Sequence, residues 1–383
     1  MKRRLVIITE IISPYRIPLF NSLSEFPAVN LHVIFLAETD PILRQWKVYK
    51  EEIRFSYEVL PSWRQRIAGY NLLLNRGLGR ALLAAKPDAI LCGGYSYLAS
   101  WQALWWARNH NVPFFLWSES NLQDSRKGRA VVELLKAEFF RQCRGFMVPG
   151  KSAAKYLVSH AIEPETIFTA VNAVDNDLFA SEAAAARANA NRLRSDLQLP
   201  GRYFLFVGRL VEEKGVFELL SAYASLGREM RQQVGMVFAG DGPCRAELEH
   251  RTLSISPGLI KFVGFAQREQ LASYYALAEM LILPTYSDTW GLVINEGMAC
   301  GLPVIVSRLA GCALDLVTDN WNGKIVEPRD VKSLRLAMQT VAGCQTESLR
   351  MGSNSMKRIA GYTPGTWSGG VLAMLESLGE PRE

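Results

Sequence analysis

Residues Met280 to Val306 read MLILPTYSDTWGLVINEGMACGLPVIV. The apolar run Met280 to Leu283 stops at Pro284. A polar loop follows, and a helix predicted from about Gly291 to Cys300 closes at Gly301, ahead of a second apolar run, Val304 to Val306. Strand-length apolar runs on either side of a helix that ends in glycine mark a strand–helix–strand unit. Strands joined by such a crossover lie parallel.

The rhythm continues outward from that unit. Tyr203 to Val207, Val234 to Ala239 and Ile260 to Val263 precede it. Leu5 to Ile12, Val29 to Leu36, Ala89 to Cys92, Pro113 to Trp117 and Gly145 to Val148 repeat it in the first half. Such alternation predicts parallel sheets covered by crossover helices. The chain has 383 residues, and a single core stops growing near roughly 250 to 300 residues, so two doubly wound α/β units are expected. The first is expected over residues 1–179 and the second over 201–365. Residues 180–200 read as a linker whose alanine-rich part, Glu182 to Leu197, has high helix propensity and can be a surface helix instead of a flexible tether. Proline at position 364 redirects the chain into a last helix, 366–383, expected to pack back on the first unit.

Hydrophobic residues make up 49% and charged residues 21% of the chain, an ordinary globular composition that excludes a disordered or fibrous protein. Six cysteines form no C-x-x-C pair and four histidines show no ligand spacing, which argues against a structural zinc site. The start, MKRRLVIITEIISPYR, lacks a small-residue cleavage site, so Leu5 to Ile12 reads as a first strand and not as a signal peptide. No apolar run reaches the ~18 residues of a membrane span, and a cytoplasmic location is expected. The formal charge of +6 fits anionic partners. Nucleic acid ranks last among them, because no zinc finger, RNA-recognition signature or basic-region heptad is present. From Leu60 to Pro87 there is no acid, while Arg64, Arg66, Arg76, Arg80 and Lys86 interleave with Trp63, Ile67, Tyr70 and Leu72 to Leu74. That segment can lie on anionic lipid at the inner face of a membrane, or its leucines can be the core face of a crossover helix. Arg126, Lys127 and Arg129 form a second basic stretch, a solvated turn or a contact for a lipid-linked diphosphate.

Three segments carry candidate chemistry. Phe204 to Gly215 runs from a strand through Gly208 to two cations, Arg209 and Lys214, at the edge of the sheet where open α/β folds bind ligands. The pair can clamp a diphosphate, by forked hydrogen bonds from the guanidinium and a point charge from the ammonium; two solvated surface charges are the alternative. Val237 to Pro243 holds Gly240-Asp241-Gly242, a turn without the third glycine of a dinucleotide fingerprint. The third segment is the stretch that opened this section, where Asp288 stands in the loop and Glu296 about two turns into the helix. Two acceptors so placed can bond two distant parts of one extended ligand, such as sugar and ribose hydroxyls. Backbone N–H groups at the helix start can face a phosphate or sugar.

Gly208-Arg209-Leu210 with Glu213-Lys214-Gly215, Gly240 to Pro243, Val263-Gly264-Phe265, and Asp288 through Pro303 together resemble glycosyltransferase family 4. The first half resembles it more loosely, through Ser13-Pro14-Tyr15-Arg16 and Val171 to Asp175. The resemblance implies the GT-B fold, with two Rossmann-like domains facing across a cleft, the first for the acceptor and the second for the donor. It implies a retaining transferase that needs no metal or other cofactor and moves a sugar from a UDP- or GDP-sugar to a glycan or lipid-linked acceptor in cell-surface polysaccharide, lipopolysaccharide or glycolipid synthesis. Carried over, Arg209 and Lys214 hold the diphosphate, Glu296 the ribose, and Val263 to Phe265 the base. Asp288, Thr289, Trp290, Gly291 and Leu292 meet the sugar, and Ser13, Tyr15 and Arg16 line the acceptor side. The family's usual glutamate is here Asp288, its glycine-rich first loop is missing, and its histidine after a central strand is replaced by Trp117-Ser118-Glu119. Glu119 or Ser118 is the candidate substitute, Glu119 as a catalytic, capping or acceptor-binding group. Rival readings are a catalytically silent nucleotide-sugar binder and, on the same architecture, an epimerase or a phosphorylase.

Overall fold

The computed structural model describes residues 2–40, 45–67, 70–122, 130–255 and 259–379. Contacts divide the chain into two units, Met1–Ala173 with Pro364–Glu383, and Val174–Thr363. Among the described residues no helix is long and apolar enough to cross a membrane.

The first unit contains β1 (Arg3–Thr9), α1 (Ile17–Ser24), β2 (Val29–Phe35), β3 (Ser56–Val59), β4 (Ser62–Ile67), β5 (Tyr70–Asn75), α2 (Leu78–Ala85), β6 (Ala89–Gly93), α3 (Leu98–Asn109), β7 (Phe114–Trp117), α4 (Ala130–Gln142), β8 (Gly145–Val148), α5 (Lys151–Ser159) and β9 (Ile167–Thr169). Seven of these strands form a sheet in the order β3-β2-β1-β6-β7-β8-β9, parallel throughout. Leu5 and Ile7 enter the core on one face and Val6 and Ile8 the core on the other. A strand covered on both faces is why β1 is continuously apolar. β4 and β5 pair antiparallel as a separate hairpin, with Trp63 opposite Leu74 and Arg64 opposite Leu73.

The second unit contains α6 (Asn176–Ala188), α7 (Ala190–Asp196), β10 (Tyr203–Val207), α8 (Val216–Ala224), α9 (Arg228–Gln233), β11 (Gly235–Ala239), α10 (Arg245–Thr252), β12 (Ile260–Gly264), α11 (Arg268–Leu277), β13 (Met280–Leu283), α12 (Leu292–Ala299), β14 (Val304–Ser307), α13 (Ala313–Leu316), β15 (Gly323–Val326), α14 (Val331–Ala342) and α15 (Gln345–Ile359). Its sheet runs β12-β11-β10-β13-β14-β15, again parallel. The order reverses between β10 and β13, so the loops after those two strands flank the crevice where such sheets bind ligands.

Residues 180–200 are not a linker between the units. They continue α6 and α7, and α6 packs on α11 and α12 within the second unit. Phe179, Ala183 and Ala186 are buried there, Phe179 edge-on to Tyr275 with ring centres 6.3 Å apart. Apolar residues at that spacing give α6 a face that must be covered, which a tether lacks. The last helix, α16 (Pro364–Glu376), belongs to the first unit, where it packs on α1 and β9. Trp367 is fully buried against Phe20 and Trp117, and a Cβ at Gly370 would stand 2.3 Å from the Thr169 carbonyl oxygen.

Candidate active site

Three glycine turns shape the end of the second sheet. Gly208 donates to the Ala239 carbonyl at 3.0 Å and Leu210 to that of Asp241 at 2.9 Å, so the loops after β10 and β11 lie against each other. A Cβ at Gly240 would stand 1.9 Å from the Gly208 carbonyl oxygen, and one at Gly242 2.4 Å from that of Leu210. The G-x-G turn is thus a packing necessity between two backbones. Gly215, at φ +68, would place a Cβ 2.3 Å from the Pro284 carbonyl oxygen, bringing the loops after β10 and β13 equally close.

That approach assembles the charged pair. Tyr286 N–H and the Thr285 hydroxyl both donate to the Glu213 carbonyl at 2.8 Å, fixing the loop after β13 beside the turn that carries Lys214. Lys214 Nζ then contacts Asp288 Oδ2, and both side chains are mostly covered. The other oxygen, Asp288 Oδ1, accepts from Trp290 N–H at 3.3 Å. Trp290 is buried and its indole N–H donates to Asn295 Oδ1 at 2.9 Å, which ties the loop to α12. Thr289, between them, is exposed. Gly291 caps α12 at φ +95, where a Cβ would meet Leu283 at 2.8 Å. Arg209 is exposed at the head of the same crevice, on the loop that leads to Lys214.

One supporting element escaped the sequence reading. Gly311 N–H donates to the Asp288 carbonyl and Cys312 N–H to that of Trp290, each at 3.0 Å. A Cβ at Gly311 would stand 1.9 Å from the Thr289 carbonyl oxygen. The turn after β14 therefore backs the loop after β13, and Gly311 following a strand was its only signal in the sequence.

Glu296 does not stand open in the crevice. It is fully covered, and the Tyr275 hydroxyl donates to its Oε2 at 2.6 Å. Its Oε1 is buried without a partner among the described residues. Burial pushes the carboxyl up to about 7, against the pull of the Tyr275 hydrogen bond. In this conformation a ligand donor reaches Oε1 only if the cover moves. Val263 is half-buried at the end of β12 and Phe265 is exposed. Gly264 between them accepts from Gly240 N–H at 2.7 Å, joining β12 to the G-x-G turn.

The remaining candidates lie in the first unit. Arg16, at the start of α1, contacts Glu119 Oε1 and donates to Asn172 Oδ1 at 3.1 Å, and its guanidinium lies 3.9 Å over the Trp117 ring. Asn172 Nδ2 donates to the same Glu119 oxygen at 3.2 Å. Glu119 is therefore held by a cation and an amide beyond β7. Ser13 and Tyr15 are half-buried; the Ser13 carbonyl accepts from Arg16 N–H at 2.9 Å, and Tyr15 meets Trp46 edge-on. Ser118 is a correction: it continues β7 by donating to the Met147 carbonyl at 2.8 Å, and its hydroxyl is buried, so it lines no open surface. The basic segment 60–87 also divides. Leu73, Leu78 and Leu82 are core, whereas Trp63 and Leu74 are exposed. Arg126, Lys127 and Arg129 lie outside the described residues.

Residues 189–358 match the family model described as glycosyl transferases group 1. That match falls wholly within the second unit. Lys214, Asp288 and Glu296 all stand inside it, as do Arg209 and both turn glycines. The D-inositol 3-phosphate glycosyltransferase of Corynebacterium kroppenstedtii is 28% identical over 203 residues, which is 50% of this chain and 44% of that protein. The chain thus spans about half the length of the curated relatives it matches. Over 98% of the chain and all of the other, the fold matches the crystal structure of Anabaena HepE in complex with UDP and glucose, at a TM-score of 0.76 and 17% identity. Sucrose-phosphate synthase from Thermosynechococcus elongatus matches over 98% of this chain and 99% of its own, at a TM-score of 0.72 and 18% identity. The architecture is GT-B, as the family 4 resemblance implied.

Proposed function

We propose that this chain is a retaining glycosyltransferase that moves a sugar from a nucleoside-diphosphate sugar to a glycan or lipid-linked acceptor. The observation that carries the reading is the Lys214–Asp288 contact at the reversal of the second sheet, beside the exposed Arg209. A carboxylate for sugar hydroxyls and two cations for a diphosphate stand on two loops that glycine packing locks together. The complexes of HepE with UDP and with UDP-glucose support a UDP-sugar as the first donor to try.

In this reading the bond from the anomeric carbon to the diphosphate oxygen breaks. The acceptor oxygen bonds that carbon from the same face and its proton passes to the departing diphosphate. Arg209 and Lys214 neutralise the charge that develops, and preorganised charge and positioning supply most of the rate. Asp288 orients the sugar, and Glu119, held by Arg16 and Asn172, orients the acceptor.

The test incubates the purified chain with UDP- and GDP-sugars and mixed lipid extracts, with and without chelator, and measures free nucleoside diphosphate. Release from one donor, unaffected by chelator and reduced by about 10²-fold or more in Arg209→Ala and Lys214→Ala, is expected. Donor binding without release under any acceptor would make the chain a silent binder instead.

A further inference from the structure

The β4–β5 hairpin pairs with no other strand among the described residues, and its faces differ. Arg64 donates to Glu10 at 3.0 Å and to Asp40 at 2.6 Å, and Leu73 opposite it is buried. Trp63 and Leu74, the neighbouring cross-strand pair, are 52% and 37% exposed. Side chains alternate along a strand, so once Arg64 is drawn to two carboxylates, Trp63 must face away. The ion cluster thus pins a hairpin whose outer face is aromatic and aliphatic.

Apolar surface continues beside it. α3 packs on both β5 and α2. Leu83 on α2 and Leu98 and Trp105 on α3 are 57%, 53% and 69% exposed. Leu98 and Trp105, two turns apart, share one face of α3. Single exposed leucines are ordinary, but two tryptophans and three leucines on the hairpin and two adjoining helices mark an interaction surface.

Charge selects the occupant. From Leu60 to Ser118 the sequence holds Arg64, Arg66, Arg76, Arg80, Lys86 and Arg108 against one acid, Asp88. Asp88 is held by Arg4 and Arg64 by its two carboxylates, whereas Arg76, Arg80, Lys86 and Arg108 are exposed. Tryptophan and leucine interleaved with exposed arginine and lysine match the boundary of an anionic bilayer, with apolar groups beneath the headgroups and cations among them.

We propose that the β4–β5 hairpin and the adjoining faces of α2 and α3 dock this chain on an anionic lipid surface. Trp63 and Leu74 enter the headgroup region, and Arg76 and Arg80 contact acidic headgroups. Docking needs no turnover, so it stands or falls apart from the transferase reading.

The full chain is sedimented with vesicles of phosphatidylglycerol and phosphatidylcholine, and with phosphatidylcholine alone. Binding to the mixed vesicles only is expected, weakened about fivefold for each charge removed in Arg76→Gln and Arg80→Gln. The double variant Trp63→Ser with Leu74→Ser is expected to lose about tenfold or more. All four side chains are exposed, so the variants should fold, which circular dichroism checks. Failure of the parent to sediment overturns the proposal, as do variants that sediment like the parent. A concentration-dependent dimer that the Trp63→Ser, Leu74→Ser variant dissociates would make a second copy the occupant. Nucleoside diphosphate release, measured on the same preparations, reports separately on the transferase reading.

Discussion

At the scale of the residue, the buried Glu296 is the group whose chemistry depends most on its surroundings. Its carboxyl stands at about 7 against an ordinary 4.5, because burial disfavours the charged form more than the Tyr275 hydroxyl favours it. The folded chain therefore binds this proton more tightly than the unfolded chain. The stability it contributes is fully present below about pH 4.5 and is lost as the pH rises through about 7. At one pKa unit per ~1.4 kcal/mol the whole effect is on the order of 3 kcal/mol. Glu296→Gln keeps an acceptor for Tyr275 and cannot ionise. Its thermal midpoint should match the parent at about pH 5 and exceed it at about pH 8.5; equal midpoints at both would show that the carboxylate is carried without penalty. Val293, Met298 and Ala299 around Glu296 are apolar. That the partner is Tyr275 was not legible, because α11 and α12 come side by side only in the tertiary fold, where α6 packs on both.

At the scale of the element, the turns after β10 and β11 show how a short motif can be read too weakly. Gly240-Asp241-Gly242 looked like an ordinary strand-to-helix turn, because sequence pattern registers a glycine without registering what lies over it. In the structure the two turns interlock, and any Cβ at Gly240 enters the Gly208 carbonyl. Gly240→Ala combines a backbone clash with a positive φ of 147°, so a loss of roughly 3–5 kcal/mol is expected. Thermal unfolding checks it: a lowered transition for the second unit supports the interlock, and an unchanged one refutes it. The same loops hold Lys214 against Asp288, so a loosened turn should also weaken donor binding.

At the scale of the whole molecule, the chain leaves its first unit at Ala173, builds the second, and returns at Pro364. Trp367 completes the first unit's core from the far end of the sequence. Trp367→Ala should destabilise that unit by about 3–5 kcal/mol, lowering its thermal transition by roughly 10 °C and leaving the second unit's transition in place. A shift of both transitions together would mean that the units unfold as one. Ten strand positions, the parallel class of both sheets and the motif loops were readable from sequence alone, because periodicity and glycine or proline punctuation are local properties of the chain; β3, β9, β15 and the β4–β5 hairpin carried no such run and were not read as strands. Three things needed the tertiary structure: the membership of residues 180–200, the closing of Lys214 on Asp288, and the split of the basic segment into a core helix and an outward hairpin. Each depends on which distant surface covers a side chain, and burial between residues far apart in sequence leaves no spacing to read.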